Sequence, residues 1–159
     1  MNTKALAGAL TASLAVMTAS LPLLAADPLP WPWKSKLPPD PALVELVSIE
    51  DVSAVINKSD APTVSITINA SAPTPNYSEL QLTPRMGDPK DLIFAFDAKG
   101  RPPQDMTIQV VTSVTFTVDY GDAPIDKVGV VEIHSQSNCK AFSVTENKPA
   151  ECTSQSAPQ

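Results

Sequence analysis

The sequence has 159 residues, of which 17 are acidic and 11 basic, so its formal net charge is −6. A negative surface disfavours nucleic acid and anionic membranes as partners, because both carry the same sign of charge. The length favours a single domain with one hydrophobic core.

Residues 1–26 have the three parts of a secretory signal. Lys4 supplies a positive start, and an uncharged apolar stretch then leads to a small-residue exit at Ala25 and Ala26. We therefore expect a secreted or periplasmic protein, cleaved after Ala25 or Ala26. Cleavage leaves about 133 residues with a net charge of −7 and no membrane span. The alternative is an uncleaved anchor, since the stretch is long enough to cross a bilayer.

Residues 27–41 form a proline-rich arm that holds both tryptophans, Trp31 and Trp33. Proline neither donates to a sheet ladder nor continues a helix, so the arm is expected to be extended and partly polyproline II, without helix. In one interpretation the indole rings cover a sheet edge or one end of the core. In the other, Trp31 and Trp33 contact a partner.

Residues 42–145 carry the period-2 pattern of apolar side chains that is typical of strands. Residues 42–57 favour two short strands over a helix, because β-branched side chains are dense there. Residues 63–70 alternate cleanly, which predicts an antiparallel strand with one solvated face. The longest run, 106–120, predicts one long bent strand or two strands with a bulge, its even-numbered residues facing the core.

Shorter strands are predicted between these runs and after them. They are expected at 77–83, 91–97, 127–135 and 139–145. In 91–97, Leu92, Phe94 and Phe96 are expected to face the core. The stretch 127–135 is apolar on both faces, which predicts a central strand.

Seven or eight short strands without a long helix predict an all-β fold, an antiparallel two-sheet immunoglobulin-like sandwich over residues 42–145. An eight-stranded barrel is the alternative. The polar tail, 146–159, is expected to be loose apart from its attachment through Cys152.

Cys139 and Cys152 are the only cysteines, and in an oxidising compartment such a pair predicts a disulfide. Closing a loop of this size stabilises a fold by about 3 kcal/mol. A zinc site built on Cys139, Cys152 and His134 is conceivable only without the disulfide. The spacing of the cysteines is longer than metal or redox motifs favour.

No catalytic or cofactor motif is present, so we expect neither an enzyme nor a cofactor. His134, the single histidine, falls at a strand end, where a packing or surface role is expected. The candidates for a metal site are Asp119, Asp122 and Asp126, because carboxylates on a turn suit Ca²⁺. Their spacing does not match an EF-hand.

The segments NYSELQLTPR (76–85) and VVEIHSQSN (130–138) resemble parts of small exported bacterial proteins of unknown function, a likeness over about half of the mature chain. The resemblance implies a periplasmic β-sandwich and supplies no activity. We expect a non-enzymatic interaction or structural protein that contacts a protein or cell-envelope partner through the arm and a sheet edge.

Three other functions stay open. One is a carrier of calcium or a small ligand on the Asp119–Asp126 loop. Another is a secreted hydrolase inhibitor that inserts the SAPTPN loop, 71–76, into a cleft. The third is a hydrolase with an unfamiliar site around His134. The oligomeric state does not follow from the sequence.

Overall fold

The computed structural model describes residues 27–35, 38, 40–85 and 92–153. The predicted signal sequence, 1–26, lies outside the described residues, as do residues 86–90, the first residue of the predicted strand 91–97, and residues 154–159 of the predicted loose tail. No helix within the described ranges is long and apolar enough to cross a membrane.

The described chain consists almost entirely of strands. In order, the elements are β1 (Leu29–Pro30), α1 (Pro32–Ser35), β2 (Val44–Glu45), β3 (Ser48–Asn57), β4 (Thr63–Ala72), β5 (Ser78–Pro84), β6 (Ile93–Arg101), β7 (Thr112–Gly121), β8 (Val130–His134), β9 (Cys139–Ser143) and β10 (Lys148–Ala150). Residues 42–57 form strands and no helix, but where two short strands are predicted the structure has the two-residue β2 and the ten-residue β3.

The strands form two open sheets. The first has the order β1-β7-β4-β3, and the second has the order β10-β9-β8-β6-β2, with β5 also paired to β6. The predicted all-β, two-sheet class is confirmed, and the barrel alternative is wrong because neither sheet closes. The predicted immunoglobulin-like strand order and the strand count are not confirmed.

The prediction that all strands pair antiparallel is wrong for two pairs of strands. Strand β1 runs parallel to β7, and β6 runs parallel to β8. The chain leaves β6, passes through β7 in the first sheet and returns to the second sheet in its original direction. A long crossover of this kind is what parallel pairing requires.

Both sheets contribute side chains to one hydrophobic core. Ile66 and Ile68 of β4 enter it from the first sheet, and Phe96 of β6 and Ile133 of β8 enter it from the second. Along β4, buried residues alternate with half-buried ones, as the pattern in 63–70 predicts. Strand β8 lies between β6 and β9, which confirms its predicted central position.

The turn between β8 and β9 attaches the second sheet to β3. The Asn138 side chain takes the place of a neighbouring strand, because its Nδ2 donates to the Ile49 carbonyl at 2.8 Å and its Oδ1 accepts from the Ile49 N–H at 2.7 Å. The Ser137 N–H donates to the carbonyl of Val47. These bonds hold the end of β8 in place.

The prediction for residues 106–120 is right in its second half and wrong in its first. Strand β7 begins at Thr112, and Val118 and Tyr120 are buried. Residues 106–111 form no strand, and Met106 and Ile108 are fully or largely exposed. An apolar period-2 stretch becomes a strand only beside a strand partner, and no strand of the described chain pairs with 106–111. Leu92, also predicted to be core-facing, is half exposed at φ 65° in a turn.

The arm is more regular than predicted. Pro32–Ser35 forms a helical turn, whereas an arm without helix is expected. Proline fits the first position of a helix, since no N–H is needed there and its φ is already helical. At the other end of the described chain, Lys148–Ala150 pairs antiparallel with β9, and the disulfide joins the same segment to β9.

Candidate functional site

The end of β8 carries a buried cluster of polar side chains. His134, the last residue of β8, is only 5% exposed. Its partner across the β6–β8 pair is Asp97, and its partner across the β8–β9 pair is Cys139. Glu132 precedes it by two residues and therefore lies on the same face of β8. The central position of β8 thus brings four chemically active residues together.

Arg85 sets the protonation of the imidazole. Its Nη1 lies 2.9 Å from His134 Nδ1. A guanidinium can only donate, so Nδ1 accepts and the proton of the neutral ring is on Nε2. Burial, together with the charge of Arg85, lowers the pKa of His134 below its usual 6.5. The ring is therefore neutral at pH 7.

The Nε2 side of His134 faces an acid and a sulfur atom. It lies 3.5 Å from Glu132 Oε2 and 3.6 Å from Cys139 Sγ. Glu132 is fully buried, and its Oε1 accepts hydrogen bonds from both the N–H and the hydroxyl of Thr153, each at 2.7 Å. Because Thr153 follows Cys152, the disulfide positions the residue that covers the Glu132 side chain.

The predicted disulfide is confirmed, since Cys139 is bonded to Cys152. It alters what the cluster can do chemically. The carboxylate of Glu132, the imidazole of His134 and Cys139 Sγ lie within 4.8 Å of one another, and no other group of this kind occurs in the described part of the chain. A disulfide sulfur is not a thiolate, however, and Nε2 carries a proton, so neither atom is a metal ligand in the oxidised protein.

Thr153 supplies a hydroxyl to the cluster, and this hydroxyl donates to the Glu132 carboxyl group. The Thr153 N–H donates to the same oxygen, so both bonds hold the C-terminal segment against β8. The packing role expected for His134 is compatible with this arrangement.

The three aspartates considered for calcium are not drawn together. Asp119 is an exposed residue of β7, and Asp122 and Asp126 are exposed in the loop that follows it, Asp122 with φ 54°. None of them belongs to the group of metal-ligating atoms found among the described residues.

The two tryptophans lie against the core. Trp31 is 1% exposed, and its ring centroid is 5.0 Å from that of Phe94 and 5.5 Å from that of Tyr120. Trp33 is half buried against Phe94 and Phe96, at 4.9 and 5.0 Å. This placement matches the interpretation in which the rings cover the core, and it leaves Trp31 inaccessible to a partner while the arm is in place.

The SAPTPN loop, 71–76, is also less prominent than an inhibitory loop should be. Ser71, Ala72 and Thr74 are buried, and the Ser71 hydroxyl donates to Glu50 at 2.6 Å. Ser71 and Ala72 belong to the end of β4, and among residues 71–76 only Asn76 is exposed.

An accessible surface occurs instead along β7. Its partner β1 covers only Tyr120 and Gly121, so on that side residues 112–119 have no strand partner within the described ranges. Residues 106–111 directly precede this edge. Four apolar side chains of this segment are exposed: Met106, Ile108, Val110 and Val111. We call residues 106–119 the β7 edge surface.

Sequence reasoning missed the β7 edge surface because it assigned these apolar residues to the core. The signal that marks its boundary is the interruption of the alternation at Thr112 and Ser113. The convergence of Arg85, Asp97 and Glu132 on His134 was also missed. It depends on parallel pairing of strands that are distant in the sequence.

Comparison with known proteins finds no matching family model, and no match among curated proteins or solved structures.

Proposed function

We propose that the protein is an exported, non-enzymatic interaction protein that binds an extended segment of a protein partner along the β7 edge surface. The observation that carries the proposal is the unpaired side of residues 112–119 next to exposed apolar residues. An open strand edge offers backbone N–H and C=O groups to an added strand, which supplies affinity, while side chains beside it supply specificity.

The chemistry of the edge supports this use. Proteins normally protect a long edge strand with lysine, proline or a bulge, because an open edge recruits other chains. Residues 112–119 contain no lysine, arginine or proline, and Asp119 is their single charged residue. Thr115 and Thr117 are exposed β-branched residues, which favour pairing with a further strand.

The apolar residues before the edge define the partner further. Met106 and Ile108 are exposed on a segment that makes no strand, so a bound chain that continued past Thr112 would cover them. An exposed apolar patch of this kind is typical of a contact site. We therefore infer a partner segment with alternating apolar side chains.

The disulfide indicates the kind of compartment in which the protein works. The Cys139–Cys152 disulfide is stable in an oxidising environment such as the periplasm or the cell exterior. Together with the predicted signal, 1–26, the disulfide supports an exported protein.

Selection of peptides tests the proposal directly. The mature chain, 27–159, is panned against a displayed library of random decapeptides, and enriched peptides are synthesised. We expect alternating apolar sequences, and we expect the bound peptide to slow hydrogen exchange at the amides of residues 112–119.

Variants decide where the peptide binds. The double variant Ile108→Asp and Val110→Asp should weaken binding at least about tenfold, because both changes place charge in an apolar contact. Val55→Asp is the matched control, since Val55 is also an exposed apolar residue but lies on β3, at the other edge of the same sheet. Equal binding by all three proteins, or protection confined to residues outside 106–119, would refute the proposal.

A further inference from the structure

Three potential metal ligands meet beside the end of β8, and a fourth is bonded to one of them. His134 Nε2 lies 3.5 Å from Glu132 Oε2 and 3.6 Å from Cys139 Sγ. The ligand atoms of Glu132, His134 and Cys139 lie within 4.8 Å of one another. Cys152 Sγ is not part of this group, but it is bonded to Cys139 Sγ, so the disulfide brings a second sulfur atom next to it.

The spacing of these atoms matches that of a tetrahedral zinc site. Zinc binds nitrogen and oxygen at about 2.1 Å and sulfur at about 2.3 Å, so neighbouring ligands in a tetrahedron lie roughly 3.4 Å apart for N and O and roughly 3.6 Å apart for N and S. The N–O and N–S distances at His134 agree with these values. The two sulfur atoms are covalently joined, so the disulfide must open before both can bind one metal ion.

We propose that reduction of the Cys139–Cys152 disulfide converts this cluster into a Zn²⁺ site whose ligands are both cysteine sulfurs, His134 Nε2 and Glu132. A dithiol reductant gives two electrons and two protons to the disulfide, which becomes two thiols while the dithiol becomes a disulfide. Binding of Zn²⁺ then releases the two thiol protons to solvent. The proposal stands on residues remote from the β7 edge surface and does not depend on the proposed function.

Asp97 supplies the outer-shell contact that such a site needs. A zinc-bound histidine usually donates its other ring N–H to a carboxylate, which orients the ring. Asp97 is the partner of His134 across the β6–β8 pair. Its Oδ1 is buried, lies 2.9 Å from Arg85 Nε, and has no hydrogen-bond partner of good geometry in the described chain. When zinc takes Nε2, the ring proton moves to Nδ1, where Asp97 can accept it.

Arg85 then changes its role. In the oxidised protein its Nη1 donates to His134 Nδ1, which keeps the proton on Nε2 and blocks that atom to a metal. In the zinc form Arg85 leaves Nδ1 and remains paired with Asp97. Two thiolates and one carboxylate around Zn²⁺ carry a net charge of −1, which the nearby guanidinium offsets.

Metal titration of the mature protein, 27–159, tests this site. The protein is titrated with Co²⁺ and then Zn²⁺, before and after treatment with a phosphine reductant. The reduced protein should bind one metal ion and show both thiolate-to-Co²⁺ charge transfer and the visible bands of tetrahedral Co²⁺. The oxidised protein should show neither, and far-UV circular dichroism should show strands in the reduced, metal-bound state.

The variant Asp97→Asn distinguishes Zn²⁺ binding at a folded site from Zn²⁺ binding by two exposed cysteines. Loss of an outer-shell partner should weaken Zn²⁺ binding about 10- to 100-fold. Asp51→Asn, an exposed position on β3, is the control and should bind like the parent. His134→Gln, read from the Co²⁺ spectrum, should remove the tetrahedral pattern. An unfolded chain would be insensitive to Asp97, so equal affinity of Asp97→Asn and the parent would overturn the proposal. Failure of the reduced protein to bind one equivalent would overturn it as well.

Discussion

The arm has a composition typical of exposed chain and yet is partly buried, whereas segment 106–111 has a composition typical of a core and yet is exposed. The arm is rich in proline and lies at the start of the described chain, yet Trp31 is almost completely buried among Phe94, Phe96 and Tyr120. Residues 106–111 are mostly apolar and lie in the middle of the chain, yet their large side chains are exposed.

The difference shows that a neighbouring surface decides burial, and hydrophobicity alone does not. Two residues of the arm, Leu29 and Pro30, pair with the end of β7, and this places the next residue, Trp31, over the aromatic end of the core. Segment 106–111 has no equivalent anchor in the described chain. Its apolar residues are therefore available to a partner.

Trp31→Ala should have the largest effect. Removal of a buried tryptophan costs about 3–5 kcal/mol, because contacts are lost and a cavity remains. Denaturant unfolding followed by circular dichroism measures the change. Trp33→Ala, at a half-buried ring, should cost less. If Trp31→Ala cost no more than Trp33→Ala, the arm would not be part of the core.

The double variant Cys139→Ala and Cys152→Ala should come next, with a loss of about 3 kcal/mol. The disulfide holds the C-terminal segment beside β9, just as packing of the Trp31 ring holds the arm against β7. Unfolding under oxidising conditions measures it, and a reducing agent should then have no further effect on the variant. Unchanged stability would mean that β10 and Thr153 hold the tail unaided.

The pH dependence of stability should reveal the buried histidine. The pKa of His134 in the folded protein lies below 6.5, so in the window between these values the unfolded chain binds a proton that the folded chain does not. The free energy of unfolding should therefore fall as pH falls through that window. In His134→Gln this contribution is absent, so the stability advantage of the parent should shrink on acidification. A constant difference across the window would show that His134 is solvated like a free residue.

Ile108→Asp should have the smallest effect on stability, within about 0.5 kcal/mol, because the side chain it replaces is exposed. Thermal unfolding measures the change. Ile66→Asp in β4 is the contrasting variant and should prevent folding, since Ile66 is fully buried. A large loss at Ile108 would place segment 106–111 in the core after all.

The sequence predicts the parts of this fold that depend on local patterns. Clean alternation in 63–70 identifies β4, and apolar residues on both faces identify β8 as central. The disulfide follows from there being only two cysteines. The two strand predictions depend on residues that are close together in the chain. The disulfide prediction has few alternatives, because only two cysteines can pair.

Long-range pairing explains what the sequence could not show. Asp97 and His134 meet only because β6 and β8 are parallel neighbours, and nothing in either segment specifies that pairing. In the same way, apolar residues alternate on both sides of the interruption at Thr112 and Ser113, but only the second part of the run 106–120 lies beside β4. The pairing of two arm residues with the end of β7 places Trp31, and no periodic pattern in the sequence predicts that pairing.

The crossover from β6 through β7 to β8 also constrains how the protein folds. Ile93 pairs with Val130, and the chain that joins them passes through β7 in the other sheet. Closing contacts of this separation is slow, since loop entropy is lost before the contacts form. Because β7 belongs to one sheet while β6 and β8 belong to the other, we expect the two sheets to unfold in a single cooperative transition.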